Sequence, residues 1–308
     1  MARQRWQRPC ASRAPVVTTA VVVAAAWRCS ARGFVAGHVA AGRRAAVLFV
    51  ASASAEPLWQ LPLSLQDDQG AGAIAEHVLS EAPAGDIRRI LEMFDSFSAQ
   101  NRLGMHLGEE KGELIEAAVG RGLPLSGPAV VLETGCHAGD GSLRAALAVS
   151  AREGSTLVST EANQKWLAAA RAVVSHGAGS IPGFRFLPLQ LSEDASFSHF
   201  LDMLRNSQGI SRLDAIILDQ DPRQYKSQVQ LMIRMGMVRQ GATIYIDNVV
   251  TKKPLLQDYL EMVQQSAQNT EWHTEIYQIS RPYTDAVAIS TYLGESSENH
   301  RGVARKVD

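Results

Sequence analysis

The sequence has little cysteine, no acid near its start, no long apolar run and no dinucleotide-binding glycine pattern. Three cysteines in 308 residues leave no disulfide framework. Cys10 and Cys29 fall in a segment read below as a leader, and Cys136 alone would remain, as a small packing residue in a glycine loop with no His/Asn pair to activate it. The first 55 residues hold eight arginines and no Asp or Glu, so 22 of the 30 basic residues face all 31 acids in the body, a net of −9 there. An acidic body excludes a nucleic-acid surface. The apolar stretches of the leader, residues 16–26 and 45–55, are eleven residues each, short of the roughly 20 needed to span a bilayer, so stable membrane insertion of the mature form is not expected.

What the amino-terminal segment does contain is the grammar of targeting. Arg3, Arg5, Arg8 and Arg13 precede the apolar stretch 16–26, which ends in the small residues Ala24, Ala25 and Ala26. A second basic, acid-free stretch runs over 28–44 around Phe34-Val35-Ala36-Gly37, followed by 45–55. This order resembles the bipartite leaders of algae with secondary plastids, and the resemblance implies plastid import. Arg43-Arg44 leaves a second export signal open, and 45–55 a membrane anchor. Residues 1–55 are accordingly read as leader, 56–72 as linker, 73–294 as one domain and 295–308 as a disordered tail, the domain being expected to act as a monomer.

In the body, helical spacing at 73–80, 87–100 and 109–119 predicts three capping helices. From Ala129 strands and helices alternate: strands at 129–133, 156–160, 184–188, 213–218 and 243–246, helices such as 142–151 and 164–174 between them. Two strand-like stretches, 272–278 and 286–293, close the domain as an antiparallel pair. The expected fold is α/β: a Rossmann-like, doubly wound seven-stranded sheet, mostly parallel, with capping helices before it.

Two strand ends carry acids. Asp219 follows Ala215-Ile216-Ile217-Leu218, and Asp247-Asn248 follows Thr243-Ile244-Tyr245-Ile246. Both emerge at the carboxyl edge of the sheet, where open α/β folds bind ligands. Two carboxylates and an amide oxygen suit a hard divalent cation, magnesium above all. A third feature is the loop Glu133-Thr134-Gly135-Cys136-His137-Ala138-Gly139-Asp140-Gly141 between strand and helix. Its spacing, G-x-x-x-G-x-G, differs from the G-x-G-x-x-G of dinucleotide enzymes, which counts against a dehydrogenase. Glu133 before the first glycine and Glu161 at the next strand end, placed for two ribose hydroxyls, favour S-adenosylmethionine and hence a methyltransferase.

The ordered set Gly104-Met105-His106-Leu107-Gly108-Glu109-Glu110-Lys111-Gly112, the glycine loop through Arg144, Glu161-Ala162-Asn163, Leu218-Asp219, Tyr225 and Asp247-Asn248-Val249 resembles catechol O-methyltransferase, from about residue 77 to 294. The resemblance implies that Leu107, Glu133, Gly135, Gly141, Glu161, Ser192 and Asp219 lie around S-adenosylmethionine and that Asp219, Asp247 and Asn248 hold magnesium. A small aromatic dihydroxy compound would then accept the methyl group. Departures accompany it. The family's lysine three positions after the first metal aspartate is Pro222 here. Arg223 beside it could stabilise an oxyanion but not act as a base; Lys226 could reach back; Asp221 could be a base or a metal contact, as in related plant and bacterial metal-dependent enzymes of the caffeoyl-CoA type. The acid that holds the second catechol hydroxyl has no match in 277–281. His137 and His106 replace a tyrosine and an asparagine of the family, and packing or hydrogen bonding is the favoured role for each over general base. A catalytically silent S-adenosylmethionine-binding module stands as the alternative to an enzyme.

Overall fold

Continuous apolar runs bounded by polar turns form the centre of the molecule. The computed structural model describes residues 68–101, 106–191, 195–264, 270–281 and 283–294. The leader, the linker up to residue 67, Gly104, Met105, Ser192 and the tail 295–308 lie outside the described residues. In order the elements are α1 (Asp68–Glu81), α2 (Ile87–Asn101), α3 (Gly108–Gly122), β1 (Val130–Thr134), α4 (Asp140–Val149), β2 (Thr156–Glu161), α5 (Gln164–Ala178), β3 (Arg185–Gln190), α6 (Phe197–Gln208), β4 (Leu213–Leu218), α7 (Tyr225–Arg234), β5 (Val238–Ile246), α8 (Lys253–Val263), β6 (Trp272–Ile279) and β7 (Asp285–Tyr292).

The seven strands form one sheet in the order β3-β2-β1-β4-β5-β7-β6. Neighbours from β3 through β5 run parallel, whereas β7 is antiparallel to both β5 and β6. This is the doubly wound, Rossmann-like arrangement expected. The chain starts in the middle of the sheet, winds outward to β3, then crosses back to β4, so the switch point falls between β1 and β4. Ligands bind at such a crevice.

Alternation along each strand divides the core into two faces. Leu132, Val158, Ile216, Leu218, Ile244 and Ile246 pack with residues of α6, α7 and α8, among them Leu204, Val229 and Leu256. Val131, Leu157, Ile217 and Tyr245 face the other way, against Ile115 and Val119 of α3 and Ala145 of α4. Each fully buried Leu, Ile or Val of this kind contributes about 1.5–3 kcal/mol. An outer layer, α1 and α2, covers α4 and α5 through Ile74, Val78, Ile90 and Phe94.

Two boundaries differ from expectation. Helix α1 begins at Asp68, inside the stretch read as linker, because its inward face is built from Gly70, Ala71 and Ala75, small residues that carry little hydropathy. Strand β5 begins at Val238 rather than Thr243; Gly241, with φ of 81°, interrupts its pattern, and the register with β4 shifts between Leu213 and Ala215.

The end of α3 lies directly on the sheet. A Cβ on Gly122 would collide with the Asp214 carbonyl and Thr243 Oγ1. Gly122→Ala is therefore expected to cost about 1–3 kcal/mol by overpacking. A urea titration with an unchanged midpoint would contradict this.

Candidate active site

The cofactor side is built where β1 ends. Gly135 (φ 83°) and Gly139 (φ 97°) take left-handed conformations open to glycine. The Gly135 and Cys136 N–H groups both donate to the Thr160 carbonyl, at 2.8 and 2.9 Å, pinning the loop to β2. A side chain at Gly135 would collide with the Asp219 carbonyl, so the ends of β1 and β4 meet there without an intervening group. Glu133 is buried and accepts hydrogen bonds from Ser142 and, at 2.6 Å, from Ser159. Burial outweighs these bonds and pushes its carboxyl up to about 7. Gly141 leaves room for that carboxylate, which a Cβ there would strike, and buried Leu107 packs beside Gly141.

Glu161 closes the β2 end. Its Oε2 accepts the His137 N–H at 2.9 Å and its Oε1 the Asn163 N–H at 3.0 Å, leaving each oxygen with further accepting capacity. The His137 ring lies 3.6 Å from that of Trp166, nearly parallel, and burial lowers its pKa; it is a packing residue. Burial likewise raises the Cys136 thiol well above its ordinary value, so this cysteine is not poised as a nucleophile.

The acidic side is built at the neighbouring strand ends. Leu218 and Ile246 are register partners, so Asp219 and Asp247 leave adjacent strands at one level. Asn248 is held with φ at 62°. Its amide nitrogen donates to Asp285 Oδ2 at 2.9 Å and to the Tyr283 hydroxyl at 3.2 Å, which spends both amide hydrogens and leaves Oδ1 as the unused group. Buried Asp285 also accepts from the N–H groups of Val250, Thr251 and Ala286 and from the Thr251 hydroxyl. Asp247 Oδ1 accepts the Asn248 N–H at 2.6 Å, and its Oδ2 accepts from Lys111 Nζ at 2.7 Å. Lys111, 1% exposed, also donates to the Tyr283 hydroxyl at 3.0 Å and lies 3.9 Å from Asp285.

Burial opposes the charge on Lys111, but Asp247 and Tyr283 overcome this and raise its pKa. The Asp219 carboxyl is pushed upward, first by burial and then by Asp247, against the positive charges of Lys252 and Lys111. Among the described residues nothing donates a hydrogen bond to its side chain. The carboxylates of Asp219, Asp247 and Asp285 thus gather around the ammonium of Lys111, with the positive charge of Lys252 also acting on Asp219. The donors are all oxygens, so the residues fit magnesium. No group of three His, Cys, Asp or Glu side chains is gathered as a metal site among the described residues; the set here is two carboxylates and an amide.

The candidates for proton chemistry, Asp221, Arg223 and Lys226, lie in the turn and helix that follow Asp219. Asp221 caps a 3-10 turn at Pro222–Gln224 and binds the Arg223 guanidinium at 2.8–3.0 Å. That bond holds its carboxyl below the usual range, which makes it a poor proton acceptor. Pro222, Arg223 and Lys226 face Pro254, Leu255 and Tyr259 across an open cleft of about 220 Å³.

His106 is no base either. Its Nε2 lies 2.8 Å from Asp95 and its Nδ1 3.2 Å from Asp140. Burial disfavours the imidazolium, yet these two carboxylates prevail and raise its pKa to about 9. With the Leu107 N–H donating to the same Asp140 oxygen at 3.2 Å, His106 clamps α2 and α3 to the start of α4. Sequence reasoning gave no role to Lys111, Tyr283 or Asp285. A lysine in register with buried Ile115 and Ala118 on one helix face was the available signal for the first.

No protein-family model matches the chain. Among curated proteins it is similar to one named "probable O-methyltransferase" from Mycobacterium tuberculosis, 30% identical over 233 residues, 72% of this chain and 91% of that one. Catechol O-methyltransferase of Bos taurus is 27% identical over 223 residues, 72% of this chain and 76% of the relative. A solved structure, the O-methyltransferase TomG from Streptomyces achromogenes in complex with SAM, aligns at 16% identity and a TM-score of 0.49, over 74% of this chain and 99% of that one.

Two outcomes follow from the buried charges. Because the folded pKa of His106 lies above its ordinary 6.5, its clamp stabilises fully below about pH 6.5 and fades as pH rises through about 9. The stability gap between the wild type and His106→Gln should be about 2–3 kcal/mol at pH 6 and close by pH 10; a gap independent of pH in denaturant melts would refute the clamp. Lys111→Met, which strips Asp247 of its ammonium, should lower stability by about 3–5 kcal/mol, read from the denaturation midpoint at pH 7.

Proposed function

The chain belongs to the S-adenosylmethionine-dependent O-methyltransferases, and from that membership we propose that it methylates one hydroxyl of a catechol or other vicinal-dihydroxy aromatic compound with magnesium as the second cofactor. The observation that carries the reading is the orientation of Asn248. With both amide hydrogens spent on Asp285 and Tyr283, its carbonyl oxygen joins the unpaired Asp219 carboxylate and Asp247 as an all-oxygen donor set beside the switch point.

When bound, S-adenosylmethionine supplies an electrophilic methyl group on a sulfonium. Glu161 would receive its ribose hydroxyls, and the glycines at 135, 139 and 141 let backbone and Glu133 come close to it. Asp219, Asp247 and Asn248 would hold magnesium, which when bound would supply Lewis acidity toward a substrate hydroxyl. The protein's own part is positioning: Lys111 and Asp285 keep Asp247 and Asn248 from turning away, so the acceptor oxygen is held in line with the methyl group. Pro222 offers no proton acceptor and Asp221 is bound by Arg223. Ionisation of the hydroxyl would therefore rest on the charge of the bound cation, the proton passing to solvent water.

The purified protein, given labelled S-adenosylmethionine and catechol, should transfer methyl with magnesium and lose nearly all activity after chelation or in Asp247→Ala. Glu161→Ala should weaken cofactor binding about 10–100-fold, through the loss of charge-assisted hydrogen bonds. Full activity after thorough metal removal would overturn the metal requirement. Absence of transfer in every condition, with the cofactor bound, would favour a silent binding module instead. Residues 1–55 fused to a fluorescent reporter should direct it to plastids; secretion of the reporter would refute plastid import.

A further inference from the structure

Tyr283 lies in the turn between β6 and β7, two residues before Asp285, and is partly exposed. Its hydroxyl oxygen accepts from Lys111 Nζ at 3.0 Å and from Asn248 Nδ2 at 3.2 Å. Neither neighbour can return the favour. An ammonium only donates. The amide of Asn248 cannot be reversed, because its nitrogen also donates to the carboxylate of Asp285, which only accepts. A phenolic oxygen has one proton and room for two donors, and both places are filled. The proton of Tyr283 is therefore the one hydrogen-bonding capacity left to it, and among the described residues no group accepts it. The nearby carboxylates are bonded to other donors: Asp285 to five, Asp247 to Lys111 and Asn248, and Glu110 to Ser280 and Arg281.

This matters for what sits at the Asp219–Asn248 donor set. In a catechol the oxygen that is not methylated brings its own proton, which needs an acceptor. The turn offers a donor there instead. Resting on the methyl-transfer reading above, we propose that the Tyr283 hydroxyl donates a hydrogen bond to the acceptor's second oxygen and selects phenols whose adjacent oxygen carries no proton, an ortho-methoxyl or ortho-carbonyl group, over catechols. Two donors, Lys111 Nζ and Asn248 Nδ2, thus fix the hydroxyl from two directions.

The test uses the full protein with magnesium, S-adenosylmethionine and three phenols that differ in the ortho group: catechol, 2-methoxyphenol and 2-hydroxyacetophenone. For the wild type, kcat/KM with the last two should equal or exceed that with catechol. In Tyr283→Phe, which keeps the ring over Lys111, the ratio of either to catechol should fall about tenfold, the effect of one hydrogen bond. The loss should appear in KM for the acceptor and in its binding measured by fluorescence with S-adenosylhomocysteine present. A wild type that prefers catechol tenfold or more, or a variant whose ratios stay within twofold, would overturn the assignment of Tyr283 while leaving methyl transfer intact. No transfer to any of the three would instead overturn the methyl-transfer reading and this selection with it. Should the variant fail to fold, the wild-type order of the three acceptors decides.

Discussion

The ion pair between Lys111 and Asp247 is the constraint on which the site depends. A lysine that is 1% exposed would be prohibitively costly without a partner, and Asp247, also buried, would be so without Lys111. Each makes the other tolerable, and together they fix the carboxyl end of β5 against the first turn of α3. Asn248 and Asp285 are then arranged around that pair. The Asp219 carboxyl at the neighbouring strand end is left without a hydrogen-bond donor among the described residues. Buried pairs of this kind seldom stabilise a fold as well as apolar residues of equal volume would, so their retention at a strand end speaks for a role in the site.

The fold was legible because β4 and the end of β5 close on apolar runs, residues 215–218 and 244–246, as strands buried on both faces do, and because acids stand at the ends of those runs. The start of α1 was not legible, since alanine and glycine give a packing face without hydropathic contrast. The two halves of the site differ in the same way. Glu133, Gly135 and Glu161 announce themselves through a loop of fixed local spacing. Lys111 and Tyr283 meet across 172 positions, and no local pattern records a contact between a helix near one end of the domain and a turn near the other. His106 shows a subtler gap. Its position in the family-like stretch was visible, but the two carboxylates that favour its protonated form come from α2 and α4, and only the folded chain brings them together.

The surroundings of Pro222 have a physical logic of their own. Proline at the first position of a short helical turn fits its fixed φ, and Asp221 before it caps the turn while binding Arg223. The local sequence therefore builds a rigid, electrically self-satisfied corner where the family carries a free lysine. Such a corner shapes the wall of a cleft and contributes little proton chemistry. Charge at the strand ends comes instead from residues set back in the fold.

The first turn of α3 and the residues before it make contacts in three directions. His106 reaches the loop at the start of α4, Glu110 accepts from Ser280 and Arg281 in the β6–β7 turn, and Lys111 holds the end of β5. Six consecutive positions thus tie cofactor loop, metal-side strand and acceptor-side turn to one short piece of backbone. Substitutions among them share partners and a common support, so their free-energy effects will not sum. In this stretch the unit of variation is the segment, and a homologue that changes one of these residues is best understood by asking which of the others changed with it.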